Sequence, residues 1–300
     1  MENSSVIFFF SISIAVVGTI GNVLSLSYFI TKIKSRSRAE NTGNYTAKLF
    51  VALNVFDLFV SVVALSMFMV KLIEYESSNS KPGEFRSINT IYQIWVFATG
   101  FLTCILSVKR AINLVFPLHT INWKLVKVSV VVYCVIMTVL QLMFLIVINF
   151  KDVAKFISVS TLYQITFWIL ASLFVIVVLA NTLCVGKIYL SHSQTVSWKR
   201  KATITVAIIS AIYCICNIGF LVNIGIYLYS KAIYQSFPTT ALNVFTFIFV
   251  PLNSACNPVV YLIRRADMRT YVKTLWDRLV RRRLTRVEDR NVGQHRVVTR

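Results

Sequence analysis

The sequence predicts an all-α membrane protein, in which a bundle of seven transmembrane helices is followed by a short amphipathic cytoplasmic helix. Three observations support this fold class. The 300 residues are 57% hydrophobic and 14% charged, with a mean hydropathy of +0.71, whereas soluble domains are nearer a quarter charged. Seven apolar segments are each long enough to cross a hydrocarbon layer roughly 30 Å thick. Beyond the last segment, apolar residues recur with helical period among basic ones.

The seven segments cover about residues 6–30, 47–72, 86–114, 125–149, 161–190, 200–229 and 239–263. The chain therefore divides into a transmembrane bundle over residues 1–263, an amphipathic membrane-surface helix over 264–283 and a disordered basic tail over 284–300. No internal repeat or low-complexity linker interrupts this order.

Charge is distributed unevenly between the two ends of the segments. Most of the 31 Lys and Arg residues fall in the tail and in the loops and helix ends that follow segments one, three and five. Because positive residues are retained on the cytoplasmic side, we expect an extracellular N-terminus and a plasma-membrane location. The charge then predicts anionic lipid, and not nucleic acid, as the partner of the tail. Asn3 becomes a candidate glycosylation site, since Asn3-Ser4-Ser5 is a sequon on the extracellular side.

Segment seven combines an uncharged run of membrane-spanning length with polar residues and prolines. Asn253 and Asn257 are four residues apart and share one helical face. Pro258 removes a backbone donor and bends the helix axis. Since polar groups in hydrocarbon must find partners, we expect this face to line a polar seam among the other helices.

Asp57 is the only acidic residue inside any of the segments. A carboxylate at mid-membrane costs roughly 2.5–3.5 kcal/mol or more, so the position indicates a function. Asn54 and Ser61 share its helical face, and Asn22 and Thr99 lie within other segments. Two interpretations remain open for these side chains: adhesion between helices, or a water-filled pocket that accepts a cation and rearranges between two states.

The residues that enzymes need are missing. All three histidines lie outside the segments, and neither an HExxH motif nor a Gly-rich phosphate loop is present. The six cysteines fall inside apolar segments, so no disulfide framework can be inferred. The sequence therefore predicts no enzyme and no cofactor. A transporter or channel remains an alternative, although the charged pairs typical of ion-coupled transport are not visible.

Four motifs, in this order and at this spacing, resemble those of the rhodopsin-like (class A) G-protein-coupled receptors. They are Gly21-Asn22, the Leu-x-x-x-Asp of Leu53 to Asp57, Ser107-Val108-Lys109-Arg110-Ala111 with Pro117-Leu118 after it, and the run from Asn253 to Tyr261 that contains Asn257-Pro258-x-x-Tyr261. The resemblance covers the chain from Gly21 to about Tyr271 and implies a receptor that activates a heterotrimeric G protein.

The resemblance implies roles for individual residues. A polar network with a sodium ion at Asp57, acting as an allosteric modulator, would contain Asn22, Asp57, Thr99, Asn253, Ser254 and Asn257. The activation switch and the contact with the G protein would involve Arg110, Pro117, Leu118, Pro258 and Tyr261. The ligand would lie against Tyr92, Gln93, Val96, Asn217, Phe220, Leu221 and Phe247.

Amine receptors of this family carry Asp at the position of Tyr92, so the resemblance disfavours a biogenic amine. The aromatic, amide and aliphatic pocket suits a peptide or a small neutral ligand, and the divergence is similar to that of chemoreceptor-type or orphan receptors. Helix packing is the alternative role of each pocket residue.

The sequence also departs from the family. The acid before Arg110 is Lys109, the Trp of helix six is Asn217, and its Pro is Gly219. The family's extracellular disulfide is absent because Phe85 occupies the place of its helix-three cysteine. We therefore expect Arg110 to be only weakly restrained in the resting state, and signalling in the absence of ligand to be raised. The same departures keep a non-coupling decoy or partner receptor as an alternative.

Overall fold

The computed structural model of the protein describes residues 2–36, 44–76, 82–115, 123–149, 159–190, 197–229 and 248–281. Within these ranges every residue except Arg265 is helical, which confirms the predicted all-α class for the described part of the chain. The helices are α1 (Glu2–Arg36), α2 (Asn44–Glu76), α3 (Pro82–Val115), α4 (Trp123–Asn149), α5 (Val159–Leu190), α6 (Ser197–Tyr229) and α7 (Val250–Arg264). A further helix, α8, covers 266–281.

Six of these helices, α1 to α6, are long and apolar enough to cross a membrane. Their apolar stretches are Phe9–Ser35, Thr46–Met69, Ile94–Leu114, Lys124–Val147, Ser160–Ile188 and Thr203–Ile226. Such a set indicates a multi-pass membrane protein. The seventh predicted segment, 239–263, is described only from residue 248 onward, and α7 itself has 15 residues. A seventh span therefore stays a prediction.

The helices extend beyond the apolar segments from which they were predicted. α1 begins at Glu2, and α2 continues to Glu76, past the predicted end at residue 72. α3 begins at Pro82, in the first helical turn, where the missing backbone donor of proline is tolerated. Hydropathy marks the part of a helix that lies in hydrocarbon, whereas backbone hydrogen bonding continues into the polar flanks.

Helix α3 lies at the centre of the bundle. It packs against α2, α4, α5 and α6, while α1 packs against α2, and α5 against α6. More than half of the apolar stretch of α3 is buried (56%), compared with 18% of that of α4. Polar side chains on α3 therefore meet other helices, whereas the apolar face of α4 is left exposed for lipid.

Two glycines let α1 approach its neighbours closely. A Cβ atom added at Gly18 would lie 2.6 Å from the Ser61 hydroxyl of α2, and one at Gly21 would lie 2.8 Å from the Pro258 ring of α7. Real Cβ atoms do not make such contacts, so a side chain at either position would require the neighbouring atoms to shift. Small residues at helix interfaces allow this close packing in membranes, and here they bring α2 and α7 to the same part of α1.

The chain divides into two compact units, Met1–Val260 and Tyr261–Arg300. In the second unit, α7 ends and α8 begins around Arg265, whose backbone N–H donates to the carbonyl of Tyr261 at 2.9 Å. The Arg269 guanidinium donates to the carbonyl oxygens of Leu262 and Ile263, at 3.1 and 2.6 Å. These carbonyls have no helical partner at a C-terminus, so Arg269 caps α7 across the break.

Helix α8 carries the amphipathic pattern predicted for residues 264–283. Met268 is buried, whereas Trp276, Leu279 and Val280 expose large apolar surfaces. Basic residues, among them Lys273 and Arg278, lie between these apolar ones. The pattern suits the boundary between headgroups and hydrocarbon, and the membrane-surface position stays a prediction.

Candidate functional site

The carboxylate of Asp57 in α2 is fully buried and is held by two side chains of α7. Ser254 Oγ donates to Asp57 Oδ1 at 3.1 Å, and Asn257 Nδ2 donates to Asp57 Oδ2 at 2.7 Å. All three residues are at most 1% exposed. The structure therefore joins two sequence motifs that lie about 200 residues apart, and each carboxylate oxygen has one donor from the same helix.

The local sequence of α2 explains why Asp57 points inward. Asn54, Asp57 and Ser61 follow one another at three and four residues and are all fully buried, as expected for one face of a helix. Ser61 Oγ donates to the Asp57 carbonyl at 2.9 Å, and Asn54 Nδ2 donates to the Phe50 carbonyl at 2.6 Å. Both flanking side chains thus donate to carbonyls of their own helix, and the Asp57 carboxylate accepts its hydrogen bonds from α7 instead.

Asn22 of α1 bonds to α7 at the place where Pro258 interrupts the helix. In a regular helix the N–H of residue 258 would donate to the carbonyl of residue 254, but proline has no N–H. Asn22 Nδ2 donates to this Ser254 carbonyl at 3.1 Å, and to the Gly18 carbonyl at 2.9 Å. Asn22 therefore satisfies an acceptor that the proline creates, and it ties α1 to the residue that also holds Asp57.

Several residues of this arrangement carry buried amide oxygens without a hydrogen-bond partner. Among the described residues, four such oxygens belong to the predicted network or to the Asp57 face of α2: Asn22 Oδ1, Asn54 Oδ1, Asn253 Oδ1 and Asn257 Oδ1. Thr99 of α3 lies beside the Asp57 carboxyl group. Buried polar groups in native proteins are nearly always satisfied by protein or by ordered water. Ordered water or a bound ion would supply the partners that these oxygens lack.

The chemistry of these groups fits a monovalent hard cation. One carboxylate supplies a single negative charge, and amide carbonyls and hydroxyls are the neutral oxygen ligands that hard cations prefer. Within the described ranges no group of three or more His, Cys, Asp or Glu residues is placed to hold a metal ion, which does not suit a transition metal. Asp57, Ser254 and Thr99, with the amide oxygens of Asn253 and Asn257, are the residues that would hold sodium and its waters.

A second feature is a small cavity between α3, α5 and α6. Four of the seven predicted ligand-binding residues line it: Val96, Asn217, Phe220 and Leu221. The remaining lining residues are Phe97, Leu170, Phe174 and Tyr213. The cavity is partly open to the outside and has room for about one water molecule. Its lining is aromatic and aliphatic, with polar groups from Asn217 and Tyr213.

The side chains of three other predicted ligand-binding residues lie outside the described part of the structure. Tyr92 and Gln93 lie in α3, but their side chains are outside the described part of the structure. Phe247 is outside the described residues altogether. Asn217 itself donates through Nδ2 to the Tyr213 carbonyl at 2.8 Å, which fixes its amide group at the cavity wall. The ligand-binding role of all seven residues stays a prediction.

The predicted switch residues are only partly described. Arg110 is half-buried near the C-terminal end of α3, and Pro258 is buried within α7. Tyr261 is fully buried. Pro117 and Leu118 lie outside the described residues, and Asn3 lies in the first turn of α1 with its side chain not described. The switch, G-protein and glycosylation roles of these residues stay predictions.

The structure also joins polar residues that the sequence did not single out as a group. Ser107 Oγ of α3 and Ser210 Oγ of α6 are 2.7 Å apart, and both side chains are fully buried. Asn181 Nδ2 of α5 is 3.5 Å from Ser107 Oγ. The available signal was the presence of isolated polar residues in apolar segments, but this signal does not say which of them meet.

Comparison with known proteins adds no relative: neither a protein-family model nor a curated protein matches this chain.

Proposed function

We propose that this protein is a rhodopsin-like G-protein-coupled receptor in the plasma membrane. It has seven spans, the last of them over residues 239–263, and its N-terminus is extracellular. A small neutral molecule or a peptide binds from outside, and a heterotrimeric G protein is activated inside. A sodium ion at Asp57 acts as an allosteric modulator, and anionic lipid binds the basic tail.

The observation that carries the proposal is the pair of hydrogen bonds from Ser254 and Asn257 to Asp57. The resemblance rests on short motifs, each of which could occur by chance. Two of them, around Asp57 and around Asn257, were identified separately, and their residues bond to each other in the folded chain. Helices that merely adhere pair their polar groups with one another. The four unsatisfied amide oxygens of Asn22, Asn54, Asn253 and Asn257 are not used in such pairing and favour a hydrated ion site.

The lining of the cavity between α3, α5 and α6 favours a neutral ligand over a charged one. Its eight lining residues contain no acidic or basic side chain, so a charged amine would have no counter-ion there. A receptor transmits a signal when the ligand and the G protein favour the same helix packing from opposite sides. A ligand at the cavity would contact α3, α5 and α6, and the same three helices meet again at Ser107.

The test is a ligand-library screen of the full-length protein in cells that carry a promiscuous G-protein reporter. Asp57→Asn removes the carboxylate charge and keeps its shape, and Arg110→Ala removes the proposed switch cation. We expect both variants to alter the response at matched surface expression. Ser66→Ala is the matched control, because Ser66 is exposed and bonds only to the Val62 carbonyl of its own helix.

Three results would contradict the proposal. A response that neither variant alters would mean that the roles of both residues are wrong. Specific ligand binding with no reporter output in any variant would identify a non-coupling receptor. Ligand-dependent flux or current across the membrane, again without reporter output, would identify a transporter or channel.

A further inference from the structure

Ser107 of α3, Ser210 of α6 and Asn181 of α5 meet in the inner half of the bundle, and together they form what we call the serine latch. The two serine hydroxyl oxygens are 2.7 Å apart, and Asn181 Nδ2 is 3.5 Å from Ser107 Oγ. Both serines are 0% exposed. Three helices thus place polar groups at one point in otherwise apolar surroundings, where water does not compete for their hydrogen bonds.

Each serine hydroxyl also has an acceptor on its own helix. Ser107 Oγ is 2.9 Å from the Thr103 carbonyl, and Ser210 Oγ is 2.9 Å from the Val206 carbonyl. A hydroxyl group carries only one proton to donate. While one serine donates to the other, it therefore gives up its own carbonyl. If α6 moves away from α3, both hydroxyls can donate to their own helices, and neither proton is left unsatisfied.

The two serine hydroxyls can therefore form hydrogen bonds in two ways, and which of the two forms is possible depends on the distance between α3 and α6. In the closed form a hydroxyl-to-hydroxyl bond joins α3 to α6, and the Asn181 amide lies against Ser107. In the open form the hydroxyls bond only to Thr103 and Val206, as isolated serines in membrane helices do. Because the open form leaves no hydroxyl proton without an acceptor, the free-energy gap between the two is small, as a switch requires.

A row of hydroxyls on α3 connects this latch to Asp57. Ser107 follows Thr103, and Thr103 follows Thr99, at intervals of four residues. Thr103 Oγ1 donates to the Thr99 carbonyl at 2.9 Å, and all three side chains are at most 1% exposed. Thr99 lies beside the Asp57 carboxyl group. One buried face of α3 thus runs from the candidate ion site to the contact with α6.

We propose that the serine latch holds α6 against α3 in the resting state and limits signalling in the absence of ligand. This inference rests on the proposed receptor function. Lys109 precedes Arg110, the proposed switch residue, so this neighbouring position carries no acid. The latch supplies an uncharged restraint at Ser107, about one helical turn before Arg110.

The first experiment measures G-protein nucleotide exchange without ligand for Ser107→Ala, Ser210→Ala and the double variant. Hydrogen bonds between membrane helices contribute about 0.6 kcal/mol on average and up to about 1.7. We therefore expect each single variant to raise basal exchange about 3- to 20-fold. The double variant should give no larger rise than the greater of the two single ones, because either change breaks the same bond. Ser172→Ala is the control, since Ser172 is exposed and bonds only to the Trp168 carbonyl.

The second experiment fixes the latch covalently. Ser107→Cys and Ser210→Cys together should form a disulfide on mild oxidation, because the oxygens they replace are 2.7 Å apart and a disulfide brings its sulfur atoms within about 2.05 Å. We expect oxidation to lower exchange, with or without ligand, to the level of membranes that lack the receptor, and a reductant to restore it. The two single cysteine variants, oxidised in parallel, control for the native Cys104 and Cys214.

Thermal unfolding of the same variants separates the failure of the latch from the failure of the receptor assignment. The losses of stability are coupled if the double variant loses less than the sum of the Ser107→Ala and Ser210→Ala losses. If they are coupled, the receptor responds to ligand and basal exchange still equals that of the Ser172→Ala control, the latch alone is overturned. Additive losses of stability, or an oxidised double cysteine variant that signals normally, would overturn it as well. Coupled losses with no exchange in any variant or with any ligand would overturn the receptor assignment.

Discussion

The side-chain amide of Asn22 donates to the backbone carbonyl of Ser254, the one acceptor in α7 that Pro258 deprives of its helical donor. The same Ser254 donates through its hydroxyl to Asp57. A single residue of α7 therefore uses its backbone to bind α1 and its side chain to bind α2. The proline favours this connection, because it leaves the Ser254 carbonyl without its helical donor.

Asn22→Ala should destabilise the protein because it leaves the buried Ser254 carbonyl without a donor. We expect a loss of about 1–2 kcal/mol in the free energy of unfolding, measured by denaturation in detergent micelles. Pro258→Ala returns an N–H at the position that can donate to Ser254. The double variant Asn22→Ala/Pro258→Ala should therefore lose less stability than the sum of the two single variants.

The Asn22 prediction has a matched control on the same helix. Ser13 is exposed and bonds only to the Phe9 carbonyl, so Ser13→Ala should change the free energy of unfolding by less than about 0.5 kcal/mol. Strict additivity of the Asn22 and Pro258 changes would show that the side-chain amide does not substitute for the missing backbone donor.

Sodium should stabilise the protein through Asp57. A cation that binds only the folded state raises the free energy of unfolding by about 1.4 kcal/mol at ten times its dissociation constant. We expect a higher melting temperature in sodium chloride than in choline chloride at equal ionic strength, and we expect Asp57→Asn to abolish the difference. Ser61→Ala, which changes a neighbour bonded only to the backbone, should keep it. Retention of the sodium effect in Asp57→Asn would place the ion elsewhere.

Composition and periodicity predicted the helices and the inward position of Asp57. Both predictions rest on the large free-energy cost of placing polar groups in hydrocarbon. A polar residue in hydrocarbon is costly wherever it lies, so a single acid in an apolar segment shows that it must be buried among helices. The same reasoning applied to Asn257, and the structure brings the two together. The ends of the helices were less accurate, since hydropathy does not report where backbone hydrogen bonding stops.

The contact between Ser107 and Ser210 could not be predicted in the same way. A serine in a membrane helix can bond to the carbonyl four residues before it, as Ser172 and Thr182 do. It therefore costs little when it faces lipid, and its presence in an apolar segment carries no information about a partner. Only the packing of α6 on α3 distinguishes Ser210 from these self-satisfied hydroxyls.

The glycines of α1 should differ in their tolerance of alanine. A Cβ at Gly21 would lie 2.8 and 3.0 Å from two ring atoms of Pro258, which cannot rotate away. The nearest atom at Gly18 is the Ser61 hydroxyl oxygen, at 2.6 Å, which can move by rotation about one side-chain bond. We expect Gly21→Ala to cost about 1–3 kcal/mol and Gly18→Ala to cost less. Gly186 has nothing within 4 Å, so Gly186→Ala should stabilise α5 by about 0.5–1 kcal/mol. The free energy of unfolding in detergent ranks the three alanine variants. Equal losses for Gly18→Ala and Gly21→Ala would contradict the contacts described for the two glycines.

Gly100 and Tyr213 offer a size-compensation test at the wall of the cavity. A Cβ at Gly100 would lie 2.6 Å from the Tyr213 hydroxyl but 3.1 Å from the ring carbon that bears it. Gly100→Ala should therefore displace the Tyr213 ring and lower both stability and ligand response. Tyr213→Phe removes the clashing oxygen, so the double variant should recover part of the stability lost in Gly100→Ala. Unfolding and reporter assays run side by side would reveal this recovery. If the double variant is no more stable than Gly100→Ala, the Tyr213 hydroxyl is not the group that occupies the space beside Gly100.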